Sequence, residues 1–295
     1  MKITNKNNIP TALYKAICND EYDRGDSDIT VTTLIKPTQI QVLEKLHYKD
    51  IEIDALDNLC IFLGKMLHKG LEEAEDGAIV EQRFYKTFNL GDGLGSIKLG
   101  GCVDHYDPFT ATITDYKLTN VFAVKDGLKQ EWKEQLNCYA YLVQANGLPV
   151  NKLRLCAIIK DWSKSQAMSR DDYPPTPVIV VDVPMWEMKK TEAYIVCKLE
   201  DYVIACRNCM FGCCSTDDMW QQPECYKVFK GDNTRATKCF SSWEEAKFWI
   251  DGSKDSDKYR IFCFQGKRVR CENFCRVSAW CPQYRKYLEE HTDIQ

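Results

Sequence analysis

The sequence predicts an α/β (α+β) fold, in which a mixed central sheet flanked by helices is followed by a small cysteine-rich α+β module. Segments of helical and of strand periodicity alternate up to about residue 212. The use of cysteine then changes, since 11 of the 16 cysteines lie from Cys197 onward. A length of 295 residues suits one large domain or two ordinary ones. We therefore expect a domain over residues 1–212 and a cysteine-rich tail over 213–295, with a small basic insert at 226–264.

Helices and then a meander of strands are predicted in the first half of the chain. A turn-rich acidic loop is expected at 19–29, and helices at 38–47 and 53–74. The longer helix is predicted from leucines that recur every three or four residues, namely Leu56, Leu59, Leu63, Leu67 and Leu71. Short segments of β-type residues follow at 79–88, 96–106 and 111–118. Glycine and Asp-Pro clusters separate these segments, which predicts an antiparallel meander.

The second half of the sequence contains the remaining predicted helices and strands, including those of the tail. A helix is expected at 127–145, strands at 152–160 and 178–183, and a long helix at 185–206. In the tail, strands are expected at 226–230, 236–240 and 259–264, with a helix at 242–251. Ser242 is the expected N-cap of that helix, and Glu245 would complete a capping box.

Composition excludes several classes of protein. Apolar residues are 44% of the chain and charged residues 28%, as in ordinary globular proteins. No apolar run approaches the ~20 residues that a bilayer needs, and residues 1–8 lack an apolar signal region. We therefore expect a cytoplasmic protein without membrane contact. Because disulfides are rare in a reducing compartment, the cysteines favour metal or cluster ligation.

Two carboxylates and a lysine lie on neighbouring predicted strands. Asp115 and Lys117 are two residues apart and so point to one face, and Asp104 lies on the strand before. A divalent cation such as Mg²⁺ would relieve the repulsion between the carboxylates, polarise a phosphoryl oxygen and activate a water. The lysine would offset developing negative charge. This chemistry suits phosphodiester hydrolysis, although Asp115-Tyr116-Lys117 alone is more typical of an ordinary polar strand face.

Two helical stripes add polar groups to this set. Gly64, His68 and Glu72 are spaced four residues apart, so they share one helix face, where the glycine allows close packing and His68 offers a nitrogen ligand. Gln135 and Tyr139 share a face of a later helix and offer contacts to a phosphate. Without their context, the histidine fits a surface stripe and the later pair fits a half-buried amphipathic face.

In this order, Gly64-X-X-X-His68-X-X-X-Glu72, Gly101-X-Val103-Asp104, Asp115-Tyr116-Lys117 and Gln135-X-X-X-Tyr139 resemble the motifs of the RecB-like branch of the PD-(D/E)XK nucleases. The resemblance covers roughly residues 30–215 and extends into the tail. It implies a core of the restriction-endonuclease type. Four short motifs in the right order are more specific than any one of them.

The resemblance also implies a role for each matching residue. The ligands of Mg²⁺ or Mn²⁺ would be His68, Asp104, Asp115 and the backbone carbonyl of Tyr116. Lys117 would be the catalytic lysine, and Gln135 and Tyr139 would touch DNA near the cut. Glu72 would complete the catalytic set, with Glu73 as its alternative.

The tail carries a three-cysteine pattern, Cys271-X₃-Cys275-X₅-Cys281, which is a strong ligand signal. We favour Cys214, just after the long helix, as the fourth ligand over the other candidates Cys206, Cys209, Cys213 and Cys225. The resemblance implies a [4Fe–4S] cluster, although the usual spacing is C-X₂-C-X₅-C. Arg270-Cys271-Glu272-Asn273 is similar to a segment of phage-encoded members of the group. Zn²⁺ is the alternative occupant, and small buried hydrophobes are the plain interpretation.

The insert is the basic part of an acidic chain. Residues 226–276 contain 12 Lys or Arg and seven Asp or Glu, a local charge of +5 within a chain of −4. That excess predicts a phosphate-binding track. Aromatic residues lie among these charges, and most of them would form the core of a small module: Phe229, Phe240, Trp243, Trp249 and Phe264.

Together these patterns predict a Mg²⁺- or Mn²⁺-dependent deoxyribonuclease, and the family favours an exonuclease in recombination, repair or phage replication in a bacterial or phage-infected cell. DNA would be the substrate, and an annealing protein or helicase the partner. No ATP-binding loop is present in the sequence, so the chain itself would not be a helicase. The alternatives are an endonuclease with the same site, a catalytically idle nucleic-acid-binding module, and a redox or regulatory iron–sulfur protein.

Overall fold

A computed structural model describes residues 1–19, 24–74, 77–91, 93–125 and 127–291 of the chain. The chain divides into two compact units, Met1–Phe211 and Gly212–Gln295, one residue from the expected boundary. The first unit contains β1 (Lys2–Thr4), α1 (Thr11–Cys18), β2 (Ile29–Thr30), α2 (Val31–Leu34), α3 (Thr38–Leu46), β3 (Glu52–Asp54), α4 (Leu59–Glu72), β4 (Ile79–Leu90), β5 (Gly95–Asp107), β6 (Thr112–Thr119), α5 (Phe122–Lys125), α6 (Gln130–Ala145), β7 (Lys152–Ile159), α7 (Lys164–Ser169), β8 (Val178–Val183) and α8 (Met188–Asn208). The second contains β9 (Cys225–Lys230), β10 (Lys238–Phe240), α9 (Trp243–Asp251), β11 (Tyr259–Phe264), α10 (Val269–Asn273) and α11 (Pro282–His291).

A mixed six-stranded sheet forms the centre of the first unit. Its order is β2-β5-β6-β7-β8, and β4 also pairs with β5. The β4–β5 and β5–β6 pairs are antiparallel, which confirms the predicted meander. The β6–β7 pair is parallel and β7–β8 is antiparallel. The predicted mixed sheet with flanking helices is therefore confirmed.

Helix α6 makes the crossover between the parallel strands β6 and β7. Parallel neighbours need such a connection, and a helix supplies it while covering the sheet. Its inward side chains are almost fully buried, among them Leu136, Leu142 and Val143, and they join the core with residues of β5 and β7. The side chains that α6 and β6 carry are thereby held against the same core.

The predicted helix at 53–74 begins later than expected, and its leucine stripe is not core. Glu52–Asp54 instead forms a parallel pair with Lys2–Thr4. Asp54 then caps a short 3₁₀ turn by accepting a hydrogen bond from the Leu56 N–H at 3.1 Å. Leu56 and Leu63 are 39% and 42% exposed, so the periodicity was correct for a helix but not for its burial. Residues 20–23 of the predicted acidic loop lie outside the described residues.

The second unit contains a small sheet with one helix packed on it. Its antiparallel strands have the order β10-β9-β11, and α9 packs against Val228 of the central strand. The Ser242 side chain accepts a hydrogen bond from the Glu245 N–H at 3.1 Å, so the predicted N-cap is confirmed. The predicted capping box is wrong, because the Glu245 carboxylate accepts from the N–H and hydroxyl of Ser241 rather than from the N–H of Ser242.

Across the described ranges, none of the helices combines the length and the apolar character needed to cross a membrane.

Candidate functional site

Three potential metal ligands converge where α4 faces the strands β4 and β5. His68 Nδ1 lies 2.9 Å from Glu81 Oε1 and 3.7 Å from Asp104 Oδ1. One ligand atom from each of the three residues lies within 4.8 Å of the others, and all three side chains are half-buried. The structure thus brings together two predicted ligands, His68 and Asp104, and adds Glu81, which the sequence analysis missed.

Glu81 lies in an unusual position on β4. The flanking pairs Val80–His105 and Gln82–Val103 put Glu81 opposite Asp104 in the antiparallel register. Its backbone has φ = 46°, in the left-handed region, where a non-glycine residue costs roughly 1–3 kcal/mol. Glu81 can be identified from the sequence only once the register of the hairpin is known, because that register places Glu81 opposite Asp104.

Asp104 is poised between the charged and neutral forms. Its Oδ2 accepts a hydrogen bond from the Tyr116 N–H at 2.8 Å. Burial, and after it the nearby Asp115, raises the pKa of Asp104 to about 7, against the opposing effects of Lys117 and His68. A cation bound here would favour the charged form, because it replaces the lost hydration of the carboxylate.

Asp115 and Lys117 form a close pair beside this group. Lys117 Nζ donates a hydrogen bond to Asp115 Oδ1 at 2.9 Å and lies 2.8 Å from Oδ2. Asp115 is 1% exposed, and its Oδ2 accepts no hydrogen bond from any residue that the structure describes. Burial would lower the pKa of Lys117, but Asp115 and Asp104 outweigh it and raise that pKa. Lys117 therefore stays charged, and its ammonium group contacts both oxygens of the buried Asp115 carboxylate.

Gln135 and Tyr139 lie side by side on the buried face of α6. Gln135 Nε2 donates to the Tyr139 hydroxyl at 2.8 Å. Burial, and then Asp115 and Asp104, raises the pKa of Tyr139 well above its ordinary value, so its hydroxyl keeps its proton. A Cβ at Gly101 would lie 2.9 Å from the Tyr139 ring, which explains why β5 has a glycine there. Because Gly101 has no side chain, the Tyr139 ring can pack directly against β5.

One open cleft of about 990 Å³ is lined by six of these residues: His68, Glu81, Asp104, Lys117, Gln135 and Tyr139. Basic side chains also line it, and they are Lys65 and Lys69 of α4 and Arg83 of β4. Glu72 and Tyr116 line the cleft too, but Glu72 is not part of the group within 4.8 Å. The expected close packing at Gly64 is wrong, because a Cβ there would meet nothing within 4 Å.

The donor set fits a divalent cation. One imidazole with two carboxylates suits Mn²⁺, and carboxylates completed by waters suit Mg²⁺. The raised pKa of Asp104, a carboxyl group buried beside a second carboxylate, is what a site prepared for positive charge would show. The cleft can therefore hold a metal beside a cationic lysine.

The second unit brings the four predicted cysteines into one neighbourhood. Burial, then Asp218 and the three other thiols, raises the pKa of Cys214 to about 12. Burial, then Cys275 and Cys281, raises the pKa of Cys271 to about 11. Both pKa values therefore respond to neighbouring sulfurs, which indicates that the four thiols lie close to one another.

Gln283 holds the distant cysteine in place, and the sequence analysis missed it. Its Oε1 accepts from the Cys214 N–H and its Nε2 donates to the Cys214 carbonyl, both at 2.9 Å. The Tyr284 N–H donates to Cys281 Sγ at 3.4 Å. The segment Cys281-Pro282-Gln283-Tyr284 thus contains a predicted ligand, the glutamine that holds Cys214 and a donor to Cys281 Sγ. A glutamine next to a cysteine motif gives no signal in the sequence.

The spacing of the four sulfurs bears on what they hold. Within the described residues, no three of these cysteines have all their sulfurs within 4.8 Å of one another. A tetrahedral zinc site with Zn–S distances of about 2.3 Å brings its sulfurs to about 3.8 Å from one another. The described positions of the thiols therefore differ from those of an assembled zinc site.

No protein-family model matches the chain, and no curated protein matches it. One solved structure, the crystal structure of SSO0001, is similar to this chain with 22% sequence identity and a TM-score of 0.46. The alignment covers 65% of this chain and 83% of that one. A likeness of that degree carries no argument about function.

Proposed function

We propose that this chain is a metal-dependent DNA nuclease of the PD-(D/E)XK type, and that it acts as an exonuclease. The observation that carries the proposal is the group His68, Glu81 and Asp104 within 4.8 Å, beside the buried Asp115–Lys117 pair. The order of motifs supports the class, and the preference for DNA ends rests on the resemblance alone.

The residues of the cleft would have different roles in hydrolysis. His68, Glu81 and Asp104 would hold Mg²⁺ or Mn²⁺, with Asp115 close by. When bound, the cation polarises a phosphoryl oxygen and lowers the pKa of a bound water. Lys65, Lys69 and Arg83 line the approach and attract the phosphate backbone.

Lys117 and Tyr139 supply the remaining donors. Lys117 keeps its proton because Asp115 and Asp104 raise its pKa, so it offsets the negative charge that develops on the phosphate. The Tyr139 hydroxyl, held by Gln135, stays protonated and donates to a phosphate oxygen or a water. Asp115 orients the ammonium group through its hydrogen bond.

Digestion of end-labelled linear DNA, single- and double-stranded, with Mg²⁺ or Mn²⁺ tests the proposal, with a closed circle alongside. Wild type is expected to degrade linear DNA, and Lys117→Ala to lose at least about 100-fold in rate, as when one preorganised electrostatic group is removed. Lys152→Ala is the matched control, because Lys152 lies on the neighbouring strand β7 and pairs with Asp182 outside the cleft.

Each other result has a distinct meaning. Cleavage of the closed circle would replace the exonuclease with an endonuclease that uses the same site. A salt-dependent gel shift without cleavage would favour the idle binding module. Equal rates for Lys117→Ala and wild type would refute the site assignment.

We further propose that the four cysteines hold a structural [4Fe–4S] cluster, with Zn²⁺ as the alternative occupant. The clustering of Cys214 with the C-terminal trio supports a bound centre, and the preference for the cluster rests on the resemblance. Elemental analysis of protein purified without oxygen distinguishes them: iron with inorganic sulfide indicates the cluster, and one zinc per chain indicates Zn²⁺.

A further inference from the structure

The small sheet of the second unit has one face that α9 does not cover. Side chains alternate between the two faces of a strand. Tyr226 and Val228 of β9 and Ile261 of β11 point to α9 and join its core. The intervening residues point away, and they form what we call the open sheet face: Lys227, Phe229, Arg260, Phe262 and Phe264.

Aromatic rings on this face are exposed and in mutual contact. Phe262 is 49% exposed and Phe264 is 39% exposed, and the two are one strand repeat apart, about 7 Å. The Phe229 ring lies between them, with its centroid 5.6 Å from that of Phe262 and 6.2 Å from that of Phe264. The rings therefore form a small platform rather than isolated surface residues.

Cations are interleaved with the rings. Lys227 Nζ lies 4.1 Å from the centre of the Phe264 ring, and Lys227 is the register partner of Phe262. Arg260 is the register partner of Phe229. The three strands contain no Asp or Glu, and two of their four basic residues, Lys227 and Arg260, lie on the open sheet face. A guanidinium nitrogen of Arg260 lies 3.8 Å from Asp232 Oδ1, and the Asp232 side chain is almost fully exposed.

We propose that the open sheet face binds single-stranded DNA. Unstacked bases would lie on Phe262 and Phe264, while Lys227 and Arg260 contact the phosphates between them. Sheets that present aromatic rings beside basic side chains bind single strands in this way, since every base has a face to stack. Duplex bases are already stacked and offer no face to the rings. The choice of DNA over RNA rests on the proposed nuclease function.

The charge of the face favours this occupant over a protein. A sheet face buried against another protein gains from apolar side chains, whereas cations between them would lose hydration, and the exposed Asp232 near Arg260 offsets little of that cost. A phosphate chain supplies a negative charge at every nucleotide, so it satisfies both cations while its bases cover the rings.

Fluorescence anisotropy of labelled oligothymidylate, about 16 nucleotides long, measures the binding on the full chain without added divalent ions. The variant Phe262→Ala/Phe264→Ala is expected to bind at least about 25-fold more weakly, or about 5-fold for each base that loses its ring. Phe248→Ala is the matched control, because Phe248 is 83% exposed on α9, on the opposite side of the sheet. It should bind as wild type does.

A second pair of variants tests the cations. Lys227→Gln/Arg260→Gln should lower the slope of log affinity against log salt by about 1.4, the value for two lost phosphate contacts on a single strand. Lys247→Gln/Lys254→Gln, which removes two exposed lysines in and after α9, should leave the slope unchanged. Phe262→Trp/Phe264→Trp keeps large rings and should bind at least as tightly as wild type, even if the alanine variant fails to fold.

Three results would overturn the proposal. Unchanged affinity in the alanine variant, equal loss in the Phe248→Ala control, or oligomers that disappear with Phe262→Ala/Phe264→Ala in place of DNA binding would each do so. Asp115→Asn separates the two proposals, because it should stop cleavage and leave oligothymidylate binding intact. A chain that binds through this face and cuts nothing would refute the nuclease alone.

Discussion

The two units differ in the size of the hydrophobic core that stabilises them. The first surrounds a six-stranded sheet with a continuous core that includes α6 and α8. In the second unit, the apolar cluster between α9 and the sheet has three buried members, which are Val228, Ala246 and Ile250. So small a core supplies little of the stability that a unit of this size needs. The comparison supports the proposal that a bound centre at the cysteines stabilises the second unit, whereas the first unit can hold a strained site on packing alone.

The units also place their charges differently. The first buries two carboxylates and a lysine together, which perturbs the pKa of Asp104 and of Lys117. The second displays cations on the face of a sheet, in contact with solvent and with aromatic rings. Buried and converging charges suit a small cation, and dispersed surface charges suit a polymer of phosphates.

Loss of a cysteine ligand should give the largest difference between the units. Cys275→Ser is expected to unfold the second unit and leave the first folded, because binding energy at a metal centre is folding energy for a small unit. Limited proteolysis with mass spectrometry should then leave a protected fragment that ends near residue 211. Cys239→Ser, at an exposed position of β10, is the control. A Cys275→Ser protein as resistant as wild type would show that the units do not differ in this way.

Glu81 offers a test confined to the first unit. Glu81→Gln should weaken Mn²⁺ binding about 10- to 100-fold, because it removes one of three converging ligands. Glu72→Gln, which alters a carboxylate of the same cleft outside that group, should change the affinity less than about twofold. Isothermal titration without DNA measures both. The reverse order of effects would restore the role that the resemblance gives to Glu72.

Acid should act on the first unit through Asp104. Its pKa of about 7 means that a proton competes with the metal below pH 7, and the raised pKa of His68, due first to its hydrogen bond with Glu81, acts in the same direction. Mn²⁺ affinity should therefore rise with pH by about tenfold per unit for each proton that the metal displaces, and level off above the pKa values of both groups. Titrations at several pH values give the slope, and a flat profile would contradict it.

The raised pKa of Asp104 should also affect the free energy of unfolding of the metal-free protein. The ordinary pKa of Asp104 is 3.8, so between about pH 4 and pH 7 the folded chain holds a proton that the unfolded chain has lost. The free energy of unfolding of metal-free protein should therefore fall as pH rises through that window. Asp104→Asn should flatten this part of the curve.

The helix cap of the second unit should give the smallest effect. Ser242→Ala removes the acceptor for the Glu245 N–H and should cost about 1 kcal/mol of unfolding free energy. Thr234→Ala, an exposed change in the loop between β9 and β10, should cost nothing measurable. Urea denaturation followed by near-ultraviolet circular dichroism compares them. Equal stability would indicate that α9 depends on the cysteines more than on its own cap.

Local pattern was enough for most elements of the fold. The strands that carry Asp104 and Asp115, the helix that carries Gln135 and Tyr139, and their order all follow from periodicity and turn residues. The start of α4 did not follow, because Glu52–Asp54 forms a strand only by pairing with residues 50 positions earlier. A pairing over that distance leaves no periodic trace in either segment.

The candidate site was predictable where its residues form motifs. His68 and Asp104 were found by their spacing, and the structure brings them together. Glu81 was not found, because it lies alone between Val80 and Gln82 and acquires its place only through the hairpin register. Gln283 was missed for a related reason, since it acts through backbone contacts at Cys214, 69 residues away.

The left-handed backbone of Glu81 makes thermal stability and metal binding compete at one position. Glycine or asparagine would occupy φ = 46° at lower cost than glutamate. A population of variants selected only for survival at high temperature should therefore replace Glu81 early, gaining heat resistance while losing the metal. The sites that such a selection leaves untouched, such as Gly101 under the Tyr139 ring, would mark where shape matters more than reactivity.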